Sequence, residues 1–326
     1  MSTTPPSLGM ARPLIVRLRN WVGDVVLGVA ALRRLERQGY APVLVGKRWA
    51  ASLLAGEDWP VHVLPASTRD RVALYRRLRV QACAVDADFD RRINTVLLPM
   101  SFSSALETRL AGLRSLGYAH EGRSFLLRQA LTIGAPVHEL ARDWRLAQVL
   151  VGQQDPVPEH AALALSPPAL DRARARLAER GLTDGHILLC PFAGGTFEKL
   201  DKRWPDFPAF AAAAIERFGR AVVLCPGPGE MEEARRIHPQ AVVLENVALD
   251  EYAALASLST LMVSNDTGPG HMAAAVGART VSVLGPTDAS RWGVRGPRAR
   301  IVSPPDGQTA WPAVSQVIQA CEDLLA

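Results

Sequence analysis

The sequence predicts an α/β protein made of two doubly wound halves, and three observations carry that reading. Short apolar runs of strand length alternate with longer stretches of helical period in both halves of the chain. Strand–helix–strand order of this kind belongs to parallel sheets covered by helices. Loops bearing glycine and hydroxyl groups directly follow several of the apolar runs, at the edge where open parallel sheets bind ligands. Near the middle, Gln153-Gln154-Asp155-Pro156-Val157-Pro158-Glu159 has the polar, proline-rich composition of a linker. The expected division is 1–155, 156–309 and a C-terminal helix over 310–326 that docks back on the first half.

Composition bounds the partners. The chain has 326 residues, 48% hydrophobic and 21% charged, enough for two cores of ordinary size. No apolar stretch approaches the roughly 20 residues that span a bilayer. The first twelve residues lack the apolar centre of a signal peptide, so a cytoplasmic location is expected. The four cysteines, Cys83, Cys190, Cys225 and Cys321, form no C-x-x-C pair and read as buried thiols. A net charge of +5 and a pI near 9.3 point to an acidic partner. No element interleaves basic and aromatic residues as a nucleic-acid module does, so nucleic acid is not expected. An anionic lipid surface and an acidic glycan fit the charge equally well.

In the first half, a strand over 14–18 runs into Arg19-Asn20-Trp21-Val22-Gly23-Asp24. Apolar residues at Val25, Val26, Val29, Leu32 and Leu35 then predict a helix, and 41–46 a second strand. Asp24 thus stands at the carboxyl end of the first strand, where a dinucleotide site would carry G-x-G-x-x-G; that motif is absent. Locally, Asp24 reads equally as a helix N-cap or as a catalytic carboxylate. Asp86-Ala87-Asp88-Phe89-Asp90 has the D-x-D spacing that can hold a metal and a diphosphate, but an acidic turn is the plainer reading and no metal is expected. Pro99-Met100-Ser101-Phe102-Ser103-Ser104-Ala105 is a hydroxyl-rich turn at the same edge. A solvated loop over 117–128 accounts for the polar residues there; the alternative is that Arg123, with Arg17, Arg19 and Lys47, lines a cleft that receives an acid.

Four loops stand out in the second half. A strand over 187–191 leads into Gly194-Gly195-Thr196, followed by Lys199, Lys202 and Arg203. These glycines let backbone approach a ligand, and the cations can neutralise phosphate. Residues 221–225 lead to a loop ending in Glu230, either a first-turn acid or an acceptor for ribose hydroxyls. Residues 280–284 lead to Gly285-Pro286-Thr287-Asp288. Most informative is the passage from Ser264 to Gly277, which follows the apolar run 261–263 and opens an alanine-rich helix. Free backbone N–H groups and the positive helix end favour an anion there. Asp266 is itself negative, so the phosphate falls to Thr267 and the backbone, and Asp266 turns to sugar hydroxyls. Together the loops around 194–202, 226–230, 266–271 and 285–288 describe a nucleotide-diphosphate pocket.

These residues resemble glycosyltransferase family 9, the ADP-heptose:lipopolysaccharide heptosyltransferases, over nearly the whole chain. Asn20 to Asp24 looks like the family's first loop, closest to the heptosyltransferase II branch. Residues 99–106 are similar to that branch's asparagine–serine–phenylalanine segment. Lys202-Arg203-Trp204-Pro205 matches the family's lysine–x–tryptophan–proline. Residues 266–275 meet its D-[ST]-G-x-x-H-x-A-A-A pattern, completed by Gly285-Pro286-Thr287. Three departures fall in the first half: Val29-Ala30 where many relatives carry a proline, Met100 for asparagine and Ser103 for lysine.

The resemblance implies a GT-B fold: two Rossmann-like domains facing across a cleft, acceptor in the first and nucleotide sugar in the second. It implies inverting transfer of L-glycero-D-manno-heptose from ADP-heptose to the lipopolysaccharide inner core, with no cofactor required. The implied enzyme is cytoplasmic, peripheral on the inner face of the inner membrane. Asp24 matches the general base, and Lys202 and Thr196 the diphosphate contacts. Glu230 would hold the ribose, Val247 the adenine and Asp266 the heptose, with Thr267, Gly268 and His271 near the phosphates. Arg19, Ser101, Ser103 and Arg123 would face the acceptor. Two alternatives stay open: a GT-B transferase using another nucleotide sugar or a protein acceptor, and a basic nucleotide- or membrane-binding module.

Overall fold

A computed structural model describes residues 11–194, 196–197, 200–304 and 311–326. The first half runs β1 (Arg12–Arg17), α1 (Val22–Arg37), β2 (Tyr40–Gly46), α2 (Ala50–Leu53), β3 (Val61–Val63) and α3 (Thr68–Val85). It continues with β4 (Thr95–Leu97), α4 (Phe102–Leu110), β5 (Ser115–Tyr118), β6 (Gln129–Leu131) and α5 (Glu139–Val151). Its six strands pair in parallel in the order β3-β2-β1-β4-β5-β6.

The second half repeats that winding. It runs α6 (Pro167–Ala178), β7 (His186–Cys190), β8 (Thr196–Phe197), β9 (Leu200–Asp201), α7 (Phe207–Phe218), β10 (Ala221–Leu224) and α8 (Met231–Ile237). Then follow β11 (Val242–Val243), α9 (Leu249–Leu258), β12 (Leu261–Asn265), α10 (Gly268–Ala275), β13 (Thr280–Val283), α11 (Ala289–Trp292), β14 (Ala299–Val302) and α12 (Val314–Leu325). Six of the strands form a parallel sheet in the order β11-β10-β7-β12-β13-β14, and β8 and β9 make a small antiparallel pair. In both sheets the order reverses beside the first strand, between β1 and β4 and between β7 and β12. Ligand crevices form outside the carboxyl ends at such points.

Side chains alternate across the strands, and this sorts the layers. Leu14, Val16 and Leu44 join the central core shared with α1, whereas Ile15 and Val45 join Val72, Tyr75 and Leu78 of α3. Helix α1 is apolar on nearly every side because it is buried on nearly every side, packed against α5 and against α10 of the other half. One core runs through that contact, from Val25 and Val29 to Met272 and Ala273. Polar ties reinforce it: Ala164 N–H donates to Glu57 at 3.0 Å, and Ser52 Oγ donates to Asp250 at 2.8 Å.

Two expectations are corrected. The C-terminal helix α12 docks on the second half, against α7, β13 and β14. Its apolar face, Val317 and Cys321, closes a cluster with Phe207, Phe210 and Val281, and Trp204 Nε1 donates to Pro312 O at 3.0 Å. An apolar stripe buries itself against whatever unfilled core lies nearest, and here that core belongs to the preceding strands. The passage 117–128, expected as solvated loop, contains the end of β5 and leads into β6. Those strands are only four and three residues long, too short for alternation to show. Among the described residues no helix is long and apolar enough to cross a membrane.

Candidate active site

The carboxyl ends of β1 and β12 carry the two loops that meet across the interface. Gly23 and Gly268 allow the approach. A Cβ on Gly23 would lie 2.7 Å from His271 Cδ2, and one on Gly268 would lie 2.6 Å from Val22 Cβ. Only glycine fits contacts this close. The result brings Asp24 into the electrostatic reach of His271, and His271 Nε2 lies 3.8 Å from Asp266 Oδ1.

Asp24 lies in the first turn of α1, whose N-cap position is Trp21; no side chain caps this helix, so the N-cap reading of Asp24 fails. Burial pushes its carboxyl group above the ordinary value of 3.8; Arg19 opposes this and Glu139 adds to it. Arg19 is the cation beneath it: Nη1 lies 2.5 Å from Glu139 and 3.9 Å from Asp24, and Nη2 lies 2.7 Å from Asp143. Burial alone would weaken the charge of Arg19, but Asp143, Asp24 and Glu139 more than offset it and hold the guanidinium charged. Asp143 is fully enclosed, and desolvation pushes it up to about 6 despite Arg19. Glu139 also pairs with Arg142 at 3.0 Å and stands 4.0 Å from Arg291 of the second half. Neighbouring His138 caps α5 through Nδ1 and joins Gly293 O through Nε2 at 2.9 Å. Burial lowers its pKa to about 4, so it is neutral and donates to that carbonyl.

Sequence reasoning passed over Glu139 and Asp143. Their signal is present: two acids four residues apart sit on the same face of a helix whose neighbours Leu140, Trp144 and Ala147 are buried. Buried acids on an apolar face require a cation.

On the facing side Lys202 Nζ lies 2.7 Å from Asp266. Burial raises the pKa of Asp266, but His271 and Lys202 outweigh it and hold the group below its ordinary value. Gly268 opens α10, and Thr267 occupies its N-cap position without a side-chain cap; Thr267 Oγ1 lies 3.8 Å from Cys190 Sγ. Glu230 accepts from Gly227 N at 2.8 Å and is charge-coupled to Cys190, so the loops after β7, β10 and β12 converge on one place. Asn265, also passed over, locks this arrangement: Oδ1 accepts from Trp204 N at 2.8 Å and Nδ2 donates to Pro191 O at 2.6 Å. Val247 is half-buried after Asn246, whose φ is +54°. Thr196 lies in β8, paired with Asp201, while Gly195 and Lys199 fall outside the described residues. The fourth loop serves packing: a Cβ on Gly285 would lie 2.7 Å from the ring of Trp311.

The expected acceptor side changes most. Ser101 is the N-cap residue of α4 and Ser103 is exposed, with their hydroxyls 3.4 Å apart. Arg123 is fully buried and does not line a cleft. Its guanidinium binds Tyr118 O, Pro99 O, Ser101 O and Ser104 Oγ, and so holds the serine turn from beneath. Desolvation lowers its pKa to about 10. Arg19 is likewise committed to carboxylates. The D-x-D run is an ion-pair cluster: Asp86, Asp88 and Asp90 pair with Arg92, Arg91 and Arg79. No group of three metal-ligating side chains occurs among the described residues.

The arrangement sets a desolvated carboxylate, able to accept a proton, opposite a lysine and a helix N-terminus, able to receive an anion. Replacing Lys202 by Ala is expected to raise the KM for an anionic donor roughly 10- to 100-fold, the scale of one charge-assisted hydrogen bond. Steady-state kinetics with varied donor check this, and unchanged constants would refute a donor role.

Comparison with known proteins supplies the family. The family model for glycosyltransferase family 9 (heptosyltransferase) matches residues 72–316. Lipopolysaccharide heptosyltransferase 3 of Escherichia coli is 27% identical over 148 residues, 42% of each chain. The match therefore spans about two fifths of that curated relative. Among solved structures, the E. coli ADP-heptose lps heptosyltransferase II superposes with a TM-score of 0.80 at 22% identity, covering 96% of this chain and 98% of that one. A family 9 glycosyl transferase from Veillonella parvula gives 0.79 at 18%, covering 98% and 99%. E. coli heptosyltransferase WaaC, solved with ADP, gives 0.71 at 20%, covering 96% and 99%. These likenesses establish the GT-B fold. With three quarters of the sequence matched by one family model, the chain belongs to glycosyltransferase family 9 (heptosyltransferase).

Proposed function

We propose that the protein is an inverting glycosyltransferase that moves L-glycero-D-manno-heptose from ADP-heptose to a sugar of the lipopolysaccharide inner core. The observation that carries this reading is the opposition of Asp24 to the group of Lys202, Asp266 and His271 across the interface of the halves. Inversion by direct displacement needs a base within reach of the attacking hydroxyl, on the side away from the leaving group. Asp24 is that base, its basicity raised by burial and limited by Arg19. The acceptor hydroxyl loses its proton to Asp24 as its oxygen attacks the anomeric carbon, and the bond to ADP breaks. Lys202 and the N-terminus of α10 receive the charge that grows on the diphosphate. Glu230 takes the ribose hydroxyls, Val247 lies along the adenine, and Thr196, Thr267 and Gly268 complete the phosphate contacts. Asp266 addresses the heptose, and His271 stands near the phosphates. Ser101 and Ser103 face the acceptor, and Arg123 holds their turn. The donor and acceptor named for the related enzymes support this assignment.

The test is incubation of the protein with ADP-heptose and heptose-deficient lipopolysaccharide. ADP release with a heptose mass increment on the acceptor is expected. Donor binding without transfer would overturn the lipopolysaccharide acceptor, and thermal stabilisation by UDP but not ADP would overturn the adenine donor.

A further inference from the structure

The carboxylate of Glu139, the first residue of α5, faces two ways. Oε2 lies 2.5 Å from Arg19 Nη1, beside Asp24; Oε1 lies 3.0 Å from Arg142 Nη1 and 4.0 Å from Arg291 Nη2. Arg291 belongs to α11 of the second half, where its guanidinium stacks on the ring of Trp292, 4.1 Å from the centroid. The residue before Glu139 reaches the end of the same short helix, since His138 Nε2 donates to Gly293 O at 2.9 Å. Two consecutive residues at the start of α5 thus clasp α11. A Cβ on Gly293 would lie 2.6 Å from Ala289 O, so only glycine fits that corner.

Arg19 makes two charge-assisted bonds, and neither goes to Asp24. Nη1 is taken by Glu139 and Nη2 by Asp143 at 2.7 Å, which leaves Asp24 at 3.9 Å, beyond hydrogen-bond reach. A carboxylate holding the fork of a guanidinium is a poor base, because those bonds stabilise its charged form. Asp24 feels the charge of Arg19 without the bond. The other charged groups facing it are Glu139, Arg142 and Asp143 on α5 and His271 on α10. We propose that Glu139 is a positioning residue: it holds Arg19 back from Asp24 and so sets how readily Asp24 takes the acceptor's proton, while Arg291 brings the second half into that balance. The inference rests on Asp24 being the base. Its signs follow from charge. Glu139 repels the ionised form of Asp24 and competes for Arg19, and both effects keep Asp24 basic. Arg291 draws on the Glu139 carboxylate and weakens both.

Carbon-13 NMR of aspartate-labelled protein follows the Asp24 carboxyl group through a pH titration, its signal identified by its loss in Asp24→Asn. Glu139→Gln keeps an oxygen for Arg19 Nη1 and removes the charge, so the Asp24 midpoint should fall. The acid limb of kcat should fall with it, and kcat on the plateau should drop roughly three- to ten-fold as the base weakens. Arg291→Met should move midpoint and limb the opposite way. The Arg291 side chain is 30% exposed, so this variant keeps the test decisive if Glu139→Gln does not fold. Midpoints that stay at the wild-type value in the folded variants, or that move in the same direction in both, would overturn the proposal whatever the kinetics show. Midpoints that move as expected while the acid limb stays fixed would instead overturn the role of Asp24 as base, on which the proposal rests.

Discussion

Asp24→Asn is expected to lower kcat by about 10²- to 10⁴-fold with the donor KM nearly unchanged, since a positioned general base contributes on that scale. Asparagine keeps the shape and the place in the first turn of α1 but cannot accept the proton. The pH profile provides the second half of the test. The base must be ionised to work, so kcat falls as pH drops through its pKa. Burial raises that pKa above 3.8, so the acid limb of the wild-type profile should lie above the ordinary aspartate range, with the slope of one proton. Arg19 works against the shift, so the limb reports the balance between burial and that guanidinium. Rapid-quench kinetics with saturating donor and acceptor separate this chemical step from product release. An Asp24→Asn enzyme within a few-fold of the wild type would remove Asp24 from the chemistry.

Arg19→Met is expected to destabilise the fold by about 3–5 kcal/mol, the scale for removing one partner of a buried ion pair. Arg19 is shared by Glu139, Asp143 and Asp24, and the first two are almost wholly enclosed. The loss should depend on pH with a definite sign. Asp143 has a folded-state pKa of about 6 against an ordinary 3.8. A carboxyl group raised on folding favours the fold when protonated, and that contribution disappears as pH climbs from about 4 through about 6. Without Arg19 the upper limit moves higher still. Urea midpoints should therefore show the largest deficit near pH 8 and a smaller one near pH 5. A deficit independent of pH would mean that lost packing, and not uncompensated charge, is responsible.

How much of this was legible in the sequence depends on the length scale of each signal. Both doubly wound sheets could be read because strands such as β1, β7 and β12 are continuous apolar runs followed by loops with glycine. β5 and β6 could not, being too short and carrying Ser115, Gly117 and Gln129. The facing loops were visible as motifs, yet their meeting depends on Gly23 and Gly268, whose role is a distance between segments more than two hundred residues apart. Arg123 was misread for a related reason. An arginine between polar neighbours looks solvated, and nothing local reveals the four oxygens that gather around its guanidinium. The docking of α12 was likewise decided by the spare apolar surface of Phe207 and Phe210, a property of the packed half and not of the helix itself.

The glycine contacts have a consequence for anyone who varies this sequence. Position 23 is coupled in volume to position 271, and position 268 to position 22. Each is a lock-and-key pair that straddles the two halves, so a larger residue on one side demands a smaller one on the other. Chimeras that exchange a whole half with a relative inherit both members of these pairs from different parents. Their success should follow the combined size at 23 with 271 and at 22 with 268 more closely than overall identity, which makes four positions the first to match when the two halves are recombined.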